Sequence, residues 1–525
     1  MIPLFAADQV RQIDQQAIHS GITGYALMQR AASAAMRVII QRWPLARYLM
    51  VFCGSGNNAG DGYEIARQAV SLGMDVQVFA LCAPEALHGD ARVAAQAAAE
   101  AGVPCQPFDT EIAQHWFVTR RAQHTVLIDT LLGIGGKGAL RPDYARAVDF
   151  INRCEASVLA IDLPTGVCAG TGFVDGQAVV ADITLSVVAR KQGLYTGDAP
   201  AFTGELLFDD LGISGGIPSA RGIDSRILHT TALARKRTAH KGDSGHVLIV
   251  GGDTGFGGAA MMAAEAAARS GAGTVSLITR QAHVTAMLTR CPEVMVRGIE
   301  ERKGNAIDSD AAESALGLVN RASVIVLGPG LGRSSWSLSL LYAVLERAAK
   351  RNIPLVLDAD ALNLLALQDT DWQTLAPDAQ RAQWIVTPHP GEAARLMGCQ
   401  TIEINKDRFS AARSLQQKTG CVVILKGAGS LLAFPDIDAP MDICLEGNPG
   451  MASGGMGDVL SGICGALLAL GRCGTVKFDA CEAARLAVCA HGEAADLAAA
   501  SLGQRGLLAT DLFRFLPGLL SGGFK

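Results

Sequence analysis

Short apolar runs alternate with longer Ala-rich, helical segments along nearly the whole chain. In the first half the apolar runs predict strands at 48–54, 75–81, 125–133 and 157–164. The segments between them predict helices, for example Glu64–Leu72 and Asp90–Ala101. Strands that alternate with helices are typical of an α/β fold with a mainly parallel sheet. The pattern therefore predicts α/β architecture.

The alternation stops after Asp210, in a stretch rich in Gly, Ser and Pro, and resumes near residue 240. The alternating pattern restarts at 240–252 and continues through the segments 273–279, 322–332, 353–365, 384–396 and 421–434. At 525 residues the chain is longer than a single hydrophobic core usually supports. We therefore predict a linker after Asp210 and two different domains, residues 1–222 and 223–525.

Composition limits the class of partner. Hydrophobic residues make up 49% of the chain and charged residues 18%, which is ample apolar material for packed cores. The net charge of −5 gives no bulk attraction for nucleic acid or for an anionic membrane surface. We therefore predict neither partner, and any binding of phosphate groups must be local.

The thirteen cysteines are scattered and include no CxxC pair, so they predict neither a zinc nor a disulfide framework. Buried, reduced thiols of a cytoplasmic protein are the interpretation that remains. The first residues lack the basic and apolar regions of a signal peptide. No uncharged apolar run reaches the roughly 18 residues of a membrane helix. The chain is therefore predicted to be soluble and cytoplasmic.

The first candidate site follows the strand predicted at 48–54, in the segment VFCGSGNNAGDG. Its glycines are expected to let the backbone approach a ligand beside the free N–H groups of the next helix; they are Gly54, Gly56, Gly60 and Gly62. Their spacing differs from the GxGxxG dinucleotide fingerprint. A plain turn needs no polar side chains, whereas this one carries Asn57, Asn58 and Asp61. A ligand-binding loop is the favoured interpretation, and a generic turn is the alternative.

Two aspartates stand at the ends of later strands, Asp129 in LIDTLLG and Asp162 in AIDLPTG. Ligands bind beyond the carboxyl ends of strands in open α/β sheets, so these loops and the one carrying Asn58 are expected to converge. With Thr165 they offer an all-oxygen ligand set, which suits a hard cation better than zinc. The alternative is that each aspartate only caps a helix after its strand.

Four segments of this half resemble the YjeF N-terminal family, the NAD(P)H-hydrate epimerases, over about residues 8–215: GITGYALMQRAASAA, GSGNNAGDGYEIAR, DTLLGIGGKG and DLPTGV. The resemblance implies a Rossmann-like three-layer domain that binds hydrated NAD(P)H and a potassium ion. The substrate residues it implies are Asn57, Asn58, Ala59, Gly60, Asp61, Gly133, Ile134, Gly135, Gly136, Lys137, Gly138, Ala139 and Asp162. The potassium ligands it implies are Asn58, Asp129 and Thr165.

Three positions depart from the commonest pattern of that family: Ala59 stands for Gly, Ile134 for Thr and Thr165 for Ser. Thr165 keeps its hydroxyl, whereas Ile134 removes one polar contact from its loop. Epimerisation at a hydrated carbon needs a proton acceptor and a proton donor. We predict Asp162 as the base and Lys137 as the donor.

The second candidate site is the segment NPGMASGGMGDVLSG, which leads into an apolar helix. Gly454, Gly455 and Gly457 predict a pocket of backbone N–H groups for an anion, with Asp458 beside it. A carboxylate next to a phosphate is costly unless it acts as a base or positions a metal. The alternative is an aspartate that only caps the helix. The chain has no GxxxxGKS or GxxxxGKT segment, which argues against a P-loop nucleotide hydrolase.

Seven ordered segments resemble the YjeF C-terminal family of the ribokinase-like superfamily, the NAD(P)H-hydrate dehydratases, over about residues 230–520: HKGDSGHVLIVGG, GFGGAAMMAAEAAARSGAG, GPGLG, LDADALN, TPHPGEAARL, LKGAG and GGMGD. The resemblance implies a ribokinase-like three-layer domain. The adenine-nucleotide contacts it implies are Lys426, Gly427, Ala428, Gly429, Ser430 and Gly457. The hydrated-cofactor contacts it implies are Ala259, Gly330, His389 and Asp458. Met456 stands where Thr is usual, which removes a hydroxyl near the phosphates.

The implied reaction of this half uses ADP and magnesium. A phosphoryl group is transferred to the hydroxyl of the hydrated ring with Asp458 as catalytic base, and elimination of phosphate then restores the reduced ring. ADP as donor gives AMP and phosphate. The sequence distinguishes neither ADP from ATP nor hydrated NADH (NADHX) from hydrated NADPH (NADPHX). His389, between two prolines at a strand end, is either a ligand-binding or a structural histidine.

The two halves together predict a bifunctional enzyme, an isomerase that interconverts the R and S hydrates joined to a lyase that dehydrates the S form. Fused members of these families imply a homo-oligomer. Two other interpretations stay open. A small-molecule kinase of the ribokinase group explains only the second half, and a non-catalytic nucleotide sensor would tolerate the loss of Asp458.

Overall fold

The computed structural model describes residues 1–136, 138–230, 233–300, 313, 315–474 and 477–521. The chain divides into two compact units, one of Pro3–Ala220 and the other of Arg221–Lys525 together with Met1–Ile2. Each unit has a mainly parallel sheet of its own, and the helices cover both faces of that sheet.

The strands are numbered along the chain. Those before residue 210 are β1 (Ile2–Leu4), β2 (Tyr48–Cys53), β3 (Asp75–Ala80), β4 (Cys105–Pro107), β5 (Thr125–Thr130), β6 (Ser157–Ile161), β7 (Ile183–Val187) and β8 (Glu205–Asp209). Those after it are β9 (Ala220–Ile223), β10 (His246–Val250), β11 (Thr274–Arg280), β12 (Met295–Ile299), β13 (Val324–Leu327), β14 (Leu355–Leu357), β15 (Ile385–Val386), β16 (Val422–Leu425), β17 (Leu431–Ala433) and β18 (Met441–Cys444).

The sheet of the N-terminal unit is parallel and has the order β4-β3-β2-β5-β6-β7-β8 within the described residues. Its helices are Ala7–His19, Gly24–Arg42, Asn57–Ser71, Gly89–Glu100, Thr110–Val118 and Pro142–Arg153. Alternate residues of β2 are buried on opposite faces. Val51 packs on the face covered by helices Gly24–Arg42, Asn57–Ser71 and Gly89–Glu100. Phe52 packs on the other face, with helices Thr110–Val118 and Pro142–Arg153. This burial on both faces explains why β2 is a continuous apolar run.

The sheet of the C-terminal unit has the order β1-β9-β18-β17-β16-β15-β14-β13-β10-β11-β12. The strands from β10 to β16 pair in parallel, whereas β16, β17 and β18 pair antiparallel. Val247 and Ile249 of β10 pack on the side of helix Met456–Cys473, and Leu248 is fully buried on the other side. The sheet is therefore the middle layer of three.

The C-terminal unit carries long helices on both faces and short ones in its connections. They are Arg226–Thr230, Gly257–Arg269, Val284–Arg290, Ser335–Lys350, Asp360–Leu367, Trp372–Leu375, Asp378–Arg381, Pro390–Met397, Thr401–Lys406, Arg408–Thr419, Met456–Cys473, Ala480–Leu502 and Leu516–Leu519. Within the described part of the chain, helix Met456–Cys473 is long and apolar enough to cross a membrane, but it is 72% buried inside the unit. Its composition is that of a core helix.

The predicted α/β class with two three-layer domains is confirmed. Two local expectations were wrong. The stretch after Asp210 is not only a linker, because β9 lies in it and Ile223 accepts a backbone hydrogen bond from Leu445 at 2.9 Å. The run 421–434 is not one strand but the hairpin of β16 and β17, because glycines 427 and 429 have positive φ and turn the chain.

Candidate active sites

The first candidate site lies at the reversal of strand order in the N-terminal sheet. The chain starts this sheet at β2, adds β3 and β4 on one side, and adds β5 and later strands on the other. Loops after β2 and β5 therefore leave in opposite directions and open a crevice at the carboxyl ends of these strands. The residues predicted to bind substrate and potassium follow β2, β5 and β6 at this edge.

The Asn-rich segment is the first turn of helix Asn57–Ser71 and not a loop, which corrects the sequence interpretation. The helix begins after Gly56, which faces open space, so its free N–H groups point to the crevice edge. The other glycines of the motif pack against protein rather than ligand. A Cβ at Gly60 would lie 2.7 Å from Met28 Sδ, and one at Gly62 would lie 2.2 Å from the Thr130 hydroxyl.

The three residues predicted to hold potassium form one connected network. Thr165 donates to the fully buried Asp129 carboxylate from its backbone N–H and from its hydroxyl, each at 2.8 Å. The Thr165 hydroxyl accepts from the backbone N–H of Leu132 at 3.0 Å. Asn58 donates from its amide nitrogen to the carbonyl oxygens of Leu132 at 3.1 Å and Ile161 at 3.2 Å. Three separate loops are thereby tied together.

The amide oxygen of Asn58 is buried and has no hydrogen-bond partner among the described residues. A buried acceptor without a partner is costly, and a bound cation would satisfy it. Burial raises the pKa of Asp129 to about 6, and the hydrogen bonds from Thr165 and Leu131 oppose that rise. A cation beside it would stabilise the ionised carboxylate. The donor set therefore fits a hard cation.

Asp162 has a backbone conformation that non-glycine residues rarely adopt, with φ of 73° directly after β6. It forms an ion pair with Lys191, whose side chain is only 1% exposed. The Lys191 ammonium also donates to the carbonyl of Val187 at 2.6 Å and to the hydroxyl of Ser186 at 3.4 Å. A buried lysine thus holds the carboxylate that the sequence predicts as the base.

Two further carboxyl groups share this environment. Burial raises the pKa of Asp14 to about 6, with Asp162 adding to the rise and Lys191 opposing it. The pKa of Asp61 is also raised, first by burial and then by Asp162 and Asp14. One lysine therefore faces three carboxyl groups. With a pKa of about 6, Asp14 can exchange a proton near neutral pH.

The loop after β5 approaches the same place. A Cβ at Gly133 would lie 3.3 Å from Asn58 Cβ and 3.5 Å from a carboxylate oxygen of Asp162. Gly135 and Gly138 face open space, and Ala139 is exposed. Ile134 packs into apolar clusters, so it supports the loop. Lys137, the predicted donor, lies outside the described residues.

The second candidate site lies at the carboxyl ends of β10, β13, β14, β15 and β16, beside the start of helix Met456–Cys473. Gly455 is the N-cap of this helix, with φ of 97°, and Asp458 is the third residue after it. No side chain caps the helix, which excludes the alternative that Asp458 serves only as the cap. The first-turn N–H groups, which the glycine run predicts as an anion pocket, lie at this end of the helix.

A charged network surrounds Asp458. The Lys426 ammonium lies 2.7 Å from a carboxylate oxygen of the buried Asp358 and 3.9 Å from one of Glu392. The other oxygen of Asp358 accepts from the hydroxyl of Ser461, one helical turn beyond Asp458 on the same helix. A Cβ at Gly457 would lie 3.2 Å from the Lys426 ammonium. Lys426 therefore lies directly beside the helix start.

The carboxyl group of Asp458 is a much weaker acid than an ordinary aspartate. Burial raises its pKa to about 7, the carboxylates of Asp358, Asp360 and Glu392 add to the rise, and Lys426 opposes it. A carboxyl group with a pKa near neutrality exchanges a proton readily at physiological pH, which is the property of a general base. Its place beside a helix N-terminus puts that base next to an anion-binding position.

The predicted nucleotide loop Lys426–Ser430 is the turn between β16 and β17. The buried Arg408 supports it by donating to the carbonyl oxygens of Leu425 at 3.2 Å and Lys426 at 3.3 Å. The Ser430 hydroxyl donates to the carbonyl of Gly427 at 3.2 Å. Of the predicted contacts, the structure brings together Lys426, Gly457 and Asp458, while Gly427, Ala428, Gly429 and Ser430 complete the turn.

The residues predicted to contact the hydrated cofactor come from neighbouring loops. A Cβ at Gly330 would lie 3.0 Å from the Cβ of Ala259, so these two are in contact. His389 is the N-cap of helix Pro390–Met397. Its Nδ1 accepts from the backbone N–H of Gly391 at 3.0 Å, and its Nε2 lies 3.2 Å from Glu392. His389 therefore has a structural role, because Nδ1 caps the helix, but half of its side chain is exposed to solvent. Met456 is buried in the core.

Two protein-family models match different parts of this chain. A family model described as NAD(P)H-hydrate dehydratase matches residues 247–518, and one described as YjeF-related protein N-terminus matches residues 24–193. A curated relative from Coxiella burnetii, named bifunctional NAD(P)H-hydrate repair enzyme Nnr, is 42% identical over 99% of this chain and 100% of its own length. The chain belongs to the family of bifunctional NAD(P)H-hydrate repair enzymes.

Other members of this repair-enzyme family match over a similar span. The Escherichia coli K12 relative of the same name is 40% identical and covers 98% of this chain and 93% of its own. Among solved structures, an ADP/ATP-dependent NAD(P)H-hydrate dehydratase from Bacillus subtilis, co-crystallized with ATP/Mg2+, is 27% identical. It covers 56% of this chain and 95% of its own, with a TM-score of 0.47.

The sequence did not predict several charged residues that lie beside the two candidate sites of this repair-enzyme family member. In the first site these are Lys191 and Asp14, which stand far from the recognised motifs and carry no local signal. In the second site they are Asp358, Asp360 and Glu392. The latter stand inside the quoted segments LDADALN and TPHPGEAARL, so acidic residues directly after apolar strands were the available signal.

Proposed function

We propose that this chain repairs hydrated nicotinamide cofactors, with residues 1–222 interconverting R- and S-NAD(P)HX and residues 223–525 dehydrating the S form to NAD(P)H at the expense of ADP. The observation that carries the proposal is Asp458, a carboxyl group with a pKa of about 7 beside a glycine-rich helix start and the Lys426 ammonium. Membership of the repair-enzyme family supports both activities.

In the dehydratase half, Asp458 takes the proton of the ring C6 hydroxyl while that oxygen attacks the β-phosphorus of ADP, so that AMP leaves. The C6–O bond then breaks with phosphate as the leaving group, and loss of a proton from C5 forms the C5–C6 double bond. Hydroxide is a poor leaving group, and the phosphoryl group removes this barrier. Lys426 and the first-turn N–H groups are proposed to hold the phosphates.

A magnesium ion would be held among the carboxylates that face this site, with Asp360 and Glu392 as the oxygen donors. Carboxylate oxygens are ligands that magnesium accepts, so the residues fit the ion. When bound, it would neutralise charge on the phosphates. In this proposal Ala259, Gly330 and His389 contact the hydrated ring system, and residues 426–430 contact the adenine nucleotide.

In the epimerase half, Asp162 is proposed as the group that moves a proton at the hydrated carbon, and the ion pair with Lys191 orients it. Potassium would be held by Asn58, Asp129 and Thr165, whose connected network leaves the Asn58 amide oxygen buried and unpaired among the described residues. When bound, the ion would supply positive charge at the crevice edge. The role of Lys137 as donor stays a prediction.

One assay tests both halves. A mixture of R- and S-NADHX is incubated with the full chain and ADP, and the absorbance of the reduced ring is followed. Complete recovery supports both activities, recovery of the S share alone supports only the dehydratase, and no recovery contradicts the proposal. Asp458→Asn should abolish recovery while ADP still binds, and Asp162→Asn should limit recovery to the S share.

Preference for ADP or ATP and for NADHX or NADPHX is decided by the same assay with each pair of substrates. Cytoplasmic location and homo-oligomeric assembly stay predictions from the sequence. A small-molecule kinase would instead transfer phosphate to a stable alcohol without restoring the ring. The polar cluster around Asp162 and Asn58 has no use in such an enzyme.

A further inference from the structure

A third cluster of chemically active side chains lies within the C-terminal unit, next to the nucleotide loop, because the backbone N–H of Cys444 donates to the carbonyl of Ser430 at 3.0 Å. Cys444 ends β18, Glu446 follows two residues later, and Cys489 lies on helix Ala480–Leu502. Their two sulfur atoms and a carboxylate oxygen all lie within 4.8 Å of one another. Both cysteines are buried, with 3% and 0% of their surface exposed. Neither the dehydratase nor the epimerase chemistry uses these residues.

Glu446 is held in place but only half satisfied. One carboxylate oxygen accepts from the backbone N–H of Ser225 at 2.5 Å. The other is buried and has no hydrogen-bond partner among the described residues. The helix comes close to it, since a Cβ at Gly492 would lie 2.9 Å from Glu446 Cβ. An anchored carboxylate with a free buried oxygen is ready to bind a cation.

The electrostatic surroundings favour positive charge. The carboxylates of Glu493 and Asp224 are close enough to Glu446 to add negative charge to its surroundings. Arg226, a cationic side chain that interacts electrostatically with Glu446, is exposed and paired with Asp224. Binding of a metal by the two cysteines replaces the thiol protons.

The chemistry of the donors selects the ion. Two thiolates and one carboxylate suit a thiophilic divalent metal and not magnesium or calcium. Zinc bonds of about 2.3 Å to sulfur in a tetrahedral arrangement place ligand atoms about 3.8 Å apart, which is compatible with the observed cluster. Three protein ligands leave one position for water.

We propose that Cys444, Glu446 and Cys489 bind a zinc-class divalent cation. The ion displaces one proton from each thiol, with no oxidation or reduction, and links the end of β18 to helix Ala480–Leu502. Its function is structural, because both elements contribute to the core of the C-terminal unit. The two cysteines are far apart in the sequence, which is why their spacing gives no zinc signal.

The test uses the full chain, produced with zinc in the medium under reducing conditions and then desalted. Metal content is measured by mass spectrometry, and cobalt is substituted to look for a thiolate-to-cobalt charge-transfer band. We expect one thiolate-bound metal per chain. Cys444→Ser and Cys489→Ser should lose the metal and the band, while Cys421→Ser should keep both, because Cys421 is equally buried but outside the cluster.

Glu446→Gln is the second variant, since it keeps shape and should fold even if a serine variant does not. It should weaken zinc retention against a chelator by at least tenfold. The proposal is overturned if the reduced wild-type chain retains no metal, or if Cys421→Ser loses as much as Cys444→Ser. It is also overturned if peptide mapping of the non-reduced chain finds a disulfide between Cys444 and Cys489.

Discussion

Dehydration should depend on the ionisation of Asp458, and this dependence can be worked out from its surroundings. The pKa of Asp458 is raised to about 7 by burial and by three neighbouring carboxylates. A base with this pKa is about one-tenth ionised at pH 6 and about nine-tenths ionised at pH 8. If proton removal by Asp458 is part of the slow step, kcat should rise roughly tenfold between pH 6 and the plateau.

Replacing Lys426 should shift the pH profile in a known direction, which gives a control for this prediction. Its ammonium opposes the rise in the pKa of Asp458, so Lys426→Met should move the midpoint of the pH profile to higher pH. At pH 7 the variant should be slower than the wild type even with saturating ADP, and raising the pH should recover part of the loss. Lys350→Met is the matched control, because Lys350 is exposed and pairs only with Glu346 within the described residues.

The assay is the initial rate of ring absorbance with purified S-NADHX, saturating ADP and excess magnesium, so that epimerisation does not contribute. Asp458→Asn should lower kcat by about 10²–10⁴-fold, the usual contribution of a general base. A flat profile between pH 6 and 8, or an Asp458→Asn variant within a few-fold of wild type, would refute the assignment of the base. An unchanged midpoint in Lys426→Met would refute the electrostatic reasoning.

Four further results are expected. Lys191→Met leaves the buried Asp162 carboxylate without its partner, so the free energy of unfolding should fall by about 3–5 kcal/mol and epimerisation should stop. Urea denaturation measures the first effect and the R-NADHX assay the second. An unchanged denaturation midpoint would contradict a buried ion pair. Asn58→Ala removes the unpaired amide oxygen, so stimulation of epimerisation by potassium should disappear while sodium controls stay unchanged. Gly457→Ala places a Cβ 3.2 Å from the Lys426 ammonium, so KM for ADP should rise several-fold with a smaller effect on kcat; equal KM values would show that the phosphates bind elsewhere. Burial lowers the pKa of His491 to about 4 from an ordinary 6.5, so its stabilising effect is present above pH 6.5 and is lost as the pH falls towards 4. His491→Gln should therefore remove about 3 kcal/mol of acid sensitivity from thermal or urea unfolding across that range, and identical pH slopes would contradict it.

The sequence by itself determined the fold class and the main part of both sites. The period and length of the apolar runs determine where strands and helices form. Because neighbouring parallel strands end at the same edge of a sheet, Asn58, Asp129 and Thr165, which stand at or after strand ends, meet there. Glycines before an apolar helix likewise predict the anion pocket beside Asp458, because only local backbone geometry is needed.

Only the tertiary structure decided which side chains surround those residues. Lys191 reaches Asp162 from beyond the next strand, and the pKa of Asp458 depends on Asp358, Glu392 and Lys426 from three separate segments of the chain. Helix boundaries were shifted for the same reason: Asn57 begins a helix because Gly60 and Gly62 let it pack closely on its neighbours. Burial and long-range charge arise from packing between distant segments, and no local pattern of residues encodes them.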